Sequence, residues 1–396
     1  MEIQLAAEIG RAADIRNIVR AQPGQFDFEH TRGSLVVSSV DRHGSRRIAR
    51  LDRATVDEVV VQHAGAFKKT AVDYPQAREQ QALSRVAAVA TDLAAAVKPA
   101  IARMNSFEVS KLAAILRLDE AIREFVRDGD TVALEGFTHL IPFAAGHEII
   151  RQKRRGLTVI RMTPDVIYDQ LIGAGCVSKI VFSWGGNPGV GSLHRLRDAI
   201  EKQWPNPIAV EEHEHAGMAA AYAAGASHLP FGVLRGYIGT DLPKYNTNVR
   251  FIDCPFTGEK LAAVPAHRPD VTIIHAQKAD RKGNVMMWGV VGAQKEAVMA
   301  AKRSIVTVEE IVDDLNAPPN SIILPAWVVG AVSEVKGGAF PSYAQGYYAR
   351  NNAFYKQWDN IAKERETFLK WIDEHVMNTK DFAGFRKSIE GVVAHV

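Results

Sequence analysis

Residues 131–151 read TVALEGFTHLIPFAAGHEIIR, and this stretch decides the fold class. Its first half, TVALEGF (131–137), is an apolar run entering a glycine turn, the pattern of a buried strand. Its second half, Phe143 to Arg151, has helical spacing and starts just after Pro142. Upstream, LDEAIREFV (118–126) puts Leu118, Ile122, Phe125 and Val126 on one helical face, with Asp128-Gly129 as its stop signal. Helix, buried strand, glycine turn and helix in that order form the repeating unit of a parallel α/β fold.

The alternation continues outward. LTVIRM (157–162), KIVFSW (179–184), DVTIIHA (270–276) and SIVTVE (304–309) are predicted strands, with helices predicted over 189–202, 214–224 and 292–302. Strands that are apolar nearly throughout, alternating with helices, predict an open, mainly parallel sheet covered by helices on both faces. The tail, 354–390, carries Phe354, Trp358, Phe368 and Trp371 among charges and predicts an aromatic-anchored terminal helical segment.

Length and composition bound the class. The chain has 396 residues, 47% hydrophobic and 23% charged, which excludes wholesale disorder. Its 48 basic and 45 acidic residues leave a formal charge of +3, too small to indicate nucleic-acid binding. No apolar run reaches membrane-spanning length, and the charged N-terminus lacks a signal-peptide core. Two cysteines, Cys176 and Cys254, make no disulfide framework. The expectation is a cytoplasmic α/β protein without nucleic-acid or membrane partners.

Composition shifts near residue 104, and all six Trp lie beyond it. Residues 1–103 are expected to form an N-terminal extension of unknown role, an accessory domain, a disordered segment or a start-site artefact, and 104–391 the main domain. Within the extension, 34–40 and 58–61 are candidate strands. Leu83, Val86, Val89, Leu93 and Val97 mark a helix over 81–98 that Pro99 ends.

Open parallel sheets bind ligands beyond the carboxyl ends of their strands, so the loops there carry the chemistry. EGFTHLIPFAAGHE (135–148) offers Gly136, with its access to unusual backbone angles, and backbone N–H groups suited to an anion; a tight structural turn fits equally. SWGGNPGVGS (183–192) has four glycines but matches neither nucleotide-binding fingerprint. It offers Asn187 and Ser192, fitting a carboxylate or thioester carbonyl, or a plain turn. EEHEHAG (211–217) alternates His213 and His215 among carboxylates; a solvated strand exit is expected over a metal site. His147-Glu148 is not part of HExxH, because position 151 is Arg. HAQKADRKGNVMMWG (275–289) ends a strand with Gln277, Lys278 and Asp280, and Gly283-Asn284 reads as a hairpin turn. GGAFPSYAQGYY (337–348) is too apolar for a linker and fits packing against a partner or lining a pocket.

Five segments in order resemble the α subunit of family I coenzyme A transferases. They are DGDTVALEGFTHLIP (128–142), LIGAGCVSKIVFSWGGNPGVGSLHR (171–195), CPFTGEKLAAVPAHRPDVTIIHAQKADRKGNVMMWG (254–289), VEEIVDDLNAP (308–318) and GGAFPSYAQGYY (337–348). RMTPDVIYDQLIGAG (161–175) and WIDEHVMNTKDF (371–382) are similar to the glutaconate CoA-transferase α type within that family. The resemblance covers the chain from near Met104 to near Gly391, leaving 1–103 without a counterpart. Two positions depart from the family pattern: Glu135 replaces the first glycine of a Gly-Gly-Phe turn, and Phe340 replaces a histidine.

The resemblance implies transfer of CoA from succinyl-CoA to 3-oxoadipate, in the β-ketoadipate pathway of aromatic-compound degradation. It implies a heteromer in which a partner β subunit brings the nucleophilic glutamate within a Ser-Glu-Asn-type motif and carries a glutamyl-CoA intermediate. No such motif occurs here; Glu135, Glu214 and Glu309 lie at predicted strand ends outside that context. No catalytic residue, metal or permanently bound cofactor is therefore expected in this chain, and the CoA thioester enters as substrate. The expected binding residues for acyl-CoA and acid are Gly136, Phe137, Thr138, Gly185, Gly186, Asn187, Gly189, Ser192, Gln277 and Lys278. Alternatives on the same scaffold are a CoA-transferase for another dicarboxylate such as glutaconate, a ring-opening CoA-thioester hydrolase, or a non-catalytic ligand-binding protein.

Overall fold

The computed structural model describes residues 113–187 and 191–393, with the backbone of three strands near the N-terminus. The chain divides into two compact units, Met1–Val109 and Ser110–Val396. In the first, β1 (Gln25–Thr31), β2 (Ser34–Val40) and β3 (Arg46–Asp52) form an antiparallel sheet, with Phe28 opposite Val37 and Val37 opposite Ala49. The candidate strand at 34–40 is β2; the strand at 58–61 and the helix at 81–98 fall outside the described residues.

The second unit is built on eight parallel strands in the order β4 (Ala114–Ile115), β16 (Ala331–Glu334), β14 (Arg303–Val312), β12 (Val271–Asp280), β5 (Thr131–Glu135), β6 (Leu157–Ile160), β7 (Val177–Phe182) and β8 (Ala209–Glu212). Two short antiparallel strands, β13 (Val285–Met287) and β15 (Ile322–Leu324), extend the sheet beside the end of β12.

Side chains alternate across a strand, so both sheet faces must be apolar where both are covered. Val132 and Leu134 of β5 enter one core with helices α1 (Leu118–Phe125), α2 (Phe143–Arg151), α3 (Val166–Gly173) and α4 (His194–Lys202). Ala133 between them faces the opposite core, against Met218 and Tyr222 of α5 (His215–Ala226) and Ala297 of α7 (Gln294–Ala300). The expected two-faced parallel sheet is thus present.

The aromatic tail closes the first core. Phe354 and Trp358 on α8 (Asn352–Lys363), Phe368 and Trp371 on α9 (Arg365–Ile372), and Phe382 and Phe385 on α10 (Phe382–Val393) are buried there. The Trp358 indole donates to Asp169 Oδ2 at 3.0 Å, while Asp169 Oδ1 accepts the backbone N–H groups of Arg195 and Leu196 at the start of α4. One buried carboxylate therefore ties α3, α4 and α8 together. No helix among the described residues is long and apolar enough to cross a membrane.

The sequence reading does not anticipate one element. β9 (Phe231–Leu234), β10 (Arg250–Asp253) and β11 (Lys260–Pro265) form a second, antiparallel sheet that packs against α5, with the one-turn α6 (Leu242–Tyr245) between β9 and β10. It changes the reading of the EEHEHAG segment. His213 is only 2% exposed, with Nδ1 against the Tyr237 hydroxyl at 2.9 Å and Nε2 against Glu211 at 2.9 Å. His213 thus belongs to a buried polar junction between β8 and the residues around the small sheet, while Glu212 and His215 on either side of it are exposed, as a solvated strand exit requires.

Candidate active site

Strand order reverses direction at β5. The chain leaves β5 through β6 and β7 to β8, then returns to β12 on the other flank of β5 and moves outward to β14 and β16. Such a switch point opens a crevice at the carboxyl ends of its strands. A cavity of about 230 Å³ lies there, lined by Phe137, Thr138, Arg161, Thr163, Asp165, Trp184 and His215. These residues follow β5, β6, β7 and β8 directly, so four consecutive strand exits converge on one space.

The turn after β5 is held from below. A Cβ on Gly136 would lie 2.8 Å from both Ile141 Cα and Leu140 O, so only glycine fits that close approach. The unusual backbone expected at Gly136 is carried instead by Thr138 (φ 57°) and Leu140 (φ 54°). The segment 337–348 supports both: Ser342 Oγ donates to Thr138 O at 2.7 Å, and Leu140 N donates to Tyr343 O at 3.0 Å. His139 is buried between them and accepts the Gln345 N–H at Nε2 (2.9 Å), which leaves the proton on Nδ1 to donate to Val290 O (2.8 Å). Burial holds its pKa below the usual imidazole value, in keeping with that neutral ring. The 337–348 loop therefore braces the site from within this chain. Phe340 packs against Phe354 at 6.1 Å beneath the Arg386 guanidinium, in an apolar setting without a polar role.

Arg161 organises the floor. Its Nε and Nη2 donate to Gly136 O at 3.1 and 2.6 Å, and its Nη1 donates to Asp165 Oδ1 at 2.9 Å. Glu135 lies beside it, receiving the Tyr222 hydroxyl at 2.8 Å and the Met162 N–H at 3.2 Å. Burial pushes the Glu135 carboxyl up to about 7, against the opposing pull of Arg161 and these hydrogen bonds. Gly136 O is thus occupied, and the Gly136 N–H faces the Glu135 carboxyl, so donors toward the cavity come from beyond Gly136.

The other expected site residues are distributed around this centre. Phe137 and Thr138 line the cavity. Gly185 and Gly186 follow Trp184; a Cβ on Gly186 would lie 2.6 Å from the Trp184 ring, so Gly186 lets the indole lie back over the loop. Asn187 is buried and donates to Tyr355 O at 2.7 Å, which fixes the loop to α8. Gly189 lies outside the described residues, and Ser192 is half-buried just ahead of α4. The Gln277 amide is spent on the Trp288 backbone, donating to its carbonyl at 3.0 Å and accepting its N–H at 3.2 Å. Lys278 pairs with Glu310 at 2.7 Å. Gln277 and Lys278 are therefore engaged by this chain's own groups and are not among the residues lining the cavity.

Sequence reasoning misses Arg161, Thr163, Asp165 and Trp184 as site residues, and weighs His215 only as a metal ligand. The first three stand in the segment RMTPD that follows a buried strand, and the strand-exit argument applied to it finds them. Among the described residues no group of three or more His, Cys, Asp or Glu is arranged to hold a metal ion. His147 sits in the apolar core against Phe385, with Nε2 on Gln170.

Comparison with known proteins agrees with this architecture. The family profile described as Coenzyme A transferase matches residues 115–335. The chain is 67% identical over 278 residues to the A-type subunit of 3-oxoadipate CoA-transferase from Pseudomonas knackmussii, covering 70% of this chain and 99% of that protein. It is 34% identical over 287 residues to the A-type subunit of glutaconate CoA-transferase from Acidaminococcus fermentans, covering 67% of this chain and 89% of that one. The crystal structure of glutaconate coenzyme A-transferase from Acidaminococcus fermentans superimposes with a TM-score of 0.65 at 31% identity, over 71% of this chain and 94% of that chain. With the profile spanning more than half its length and a two-thirds-identical relative matched almost end to end, the chain belongs to the coenzyme A transferase family.

Proposed function

We propose that this chain is the A-type half of an enzyme that moves CoA from succinyl-CoA to 3-oxoadipate, with the nucleophilic glutamate supplied by a partner β subunit. The observation that carries the substrate assignment is the 67% identity to the A-type half of 3-oxoadipate CoA-transferase across 99% of that relative.

Geometry supports the division of labour. The three glutamates at predicted strand ends are already committed. Glu135 is bonded to Tyr222 and Met162 N, Glu214 to Tyr237 N, and Glu309 to His275, Tyr348 and Gly337 N. None of the three lines the cavity. The cavity, about 230 Å³, is open on one side, which leaves a path for a CoA arm to extend out of it.

In this reading the glutamate carboxylate attacks the thioester carbonyl to give an acyl-enzyme anhydride and CoA thiolate. The thiolate returns to form glutamyl-CoA as succinate departs, and the acceptor carboxylate repeats the sequence in reverse. This chain holds the acyl group between Phe137 and Trp184, positions it over the Gly136–Thr138 turn, and keeps water from the anhydride. Gly185, Gly186, Asn187 and Ser192 shape the adjoining wall. The test is co-expression with a candidate β chain, followed by CoA exchange from succinyl-CoA. Transfer to 3-oxoadipate only when both chains are present is expected. Transfer by this chain alone would overturn the shared site, and water-dependent loss of thioester without an acceptor would replace transfer by hydrolysis.

A further inference from the structure

Asp165 stands out among the cavity residues. It is 1% exposed, it caps α3 through Ile167 N, and its Oδ1 accepts from Arg161 Nη1. Its Oδ2 is buried with no hydrogen-bond partner, although the residue lines the cavity. Buried polar atoms are ordinarily satisfied, and one left over on a cavity wall marks where a ligand atom belongs.

Arg161, the obvious group for a carboxylate, already commits three of its five N–H groups to protein oxygens, two to Gly136 O and one to Asp165. Beside that fixed positive charge, Asp165 Oδ2 is left without a partner.

Resting on the function proposed above, we propose that Asp165 recognises the distal carboxylate of a dicarboxylic substrate by sharing a proton with it. In the empty site Arg161 and ionised Asp165 balance each other. When the diacid enters, one proton from solvent joins Asp165 Oδ2 and is shared with the incoming carboxylate oxygen, and Arg161 then balances the substrate's charge. No covalent bond changes in the substrate's carbon skeleton, and the summed charge of Arg161, Asp165 and the bound carboxylate stays zero. Succinyl and 3-oxoadipyl groups both carry such a distal carboxylate, so one device serves donor and acceptor.

The surroundings ease that proton uptake. Burial raises the Asp165 carboxyl more than Arg161 lowers it. The charged and titratable groups acting on it are Arg161 after β6, Tyr168 on α3, and Arg350 and Tyr355 at the start of α8, with His215 across the cavity.

The test uses the complete two-subunit enzyme with 3-oxoadipate and with 3-oxohexanoate, which puts a methyl group where the distal carboxylate was. In wild type, kcat/KM for 3-oxoadipate should fall about tenfold per pH unit on the alkaline limb, and that for 3-oxohexanoate should not follow it. Because Asp165 also holds Arg161, Asp165→Ala should lower kcat/KM for both acids, and for 3-oxoadipate by about tenfold to a hundredfold more than for 3-oxohexanoate. Asp165→Asn keeps the helix cap and offers an N–H to the carboxylate, so it should retain diacid preference and lose the alkaline fall. Equal losses for both acids in Asp165→Ala, or an alkaline fall that survives in Asp165→Asn, overturns the proposal. Should Asp165→Ala not fold, the pH profile of Asp165→Asn decides alone. Absence of transfer to either acid by the wild-type enzyme would instead refute the functional assignment.

Discussion

Arg161 and Gly136 are joined by a two-pronged contact: Nε and Nη2 of the guanidinium both donate to the Gly136 carbonyl oxygen, at 3.1 and 2.6 Å. That contact links the exits of β6 and β5, and Nη1 extends it to Asp165 at the head of α3. A planar fork is needed, because three hydrogen bonds in two directions cannot be matched by an ammonium. Arg161→Lys should therefore let the Gly136 turn drift and reduce kcat/KM by on the order of a hundredfold, as a displacement near 1 Å does in a preorganised site. Arg161→Met should in addition strand a buried carboxylate, at about 3–5 kcal/mol in urea denaturation. Wild-type activity in the lysine variant would show that the carbonyl needs no clamp.

Gly136→Ala tests the same turn from its backbone. The added methyl would sit 2.8 Å from Ile141 Cα and from Leu140 O, and both are backbone atoms that have no side-chain freedom to yield. We expect a loss of about 1–3 kcal/mol from overpacking and a larger proportional loss of CoA exchange, since Phe137 and Thr138 move with the turn. A variant with normal activity and an unchanged melting temperature would contradict the geometry.

These two positions also show how far the sequence was readable. The sheet was legible because β5, β6, β12 and β14 are largely buried on both faces and so appear as apolar runs. Part of the cavity lining was legible, at Phe137 and Thr138, because strand exits at a switch point border the crevice. Arg161 was not, since what defines it is a carbonyl 25 positions earlier and a carboxylate four positions later, brought together only by adjacent strands. The burial of His213 was hidden for a related reason. Its partner Tyr237 follows the four-residue strand β9, too short to give a periodic signal, so the sheet that encloses the imidazole went unread. Gln277 shows what sequence leaves out: a polar residue late in an apolar run satisfies a neighbouring backbone, here that of Trp288.

Glu135 makes the fold sensitive to alkali. Burial lifts its carboxyl from 4.5 to about 7, so between these values the folded chain binds a proton that the unfolded chain has released. The stabilisation from this group is whole below 4.5 and is lost as pH rises through about 7, amounting to on the order of 3 kcal/mol. Glu135→Gln keeps an acceptor for Tyr222 and Met162 and removes the titration. Urea unfolding at acidic and mildly alkaline pH should show wild type weakening with rising pH while the glutamine variant changes much less; parallel curves would rule out this coupling.

At the acid end two core histidines work in the opposite direction. Burial holds His147 and His267 down to about 3, so below 6.5 the unfolded chain gains protons that the native rings refuse. Stability from these groups is present above 6.5 and is lost as pH falls toward about 3, on the order of 5 kcal/mol for each ring. His147 meets Phe385 edge-on at 4.4 Å, and Phe replaces the ring in shape but not in its hydrogen bond to Gln170. His147→Phe should thus be weaker than wild type by about 1–3 kcal/mol at neutral pH, where Gln170 Oε1 is left without a donor. It should nevertheless outlast wild type in acid, because the proton that drives unfolding has no site to take. The two stability curves must cross between pH 6.5 and about 3; curves that fall together through that range would place the acid lability elsewhere.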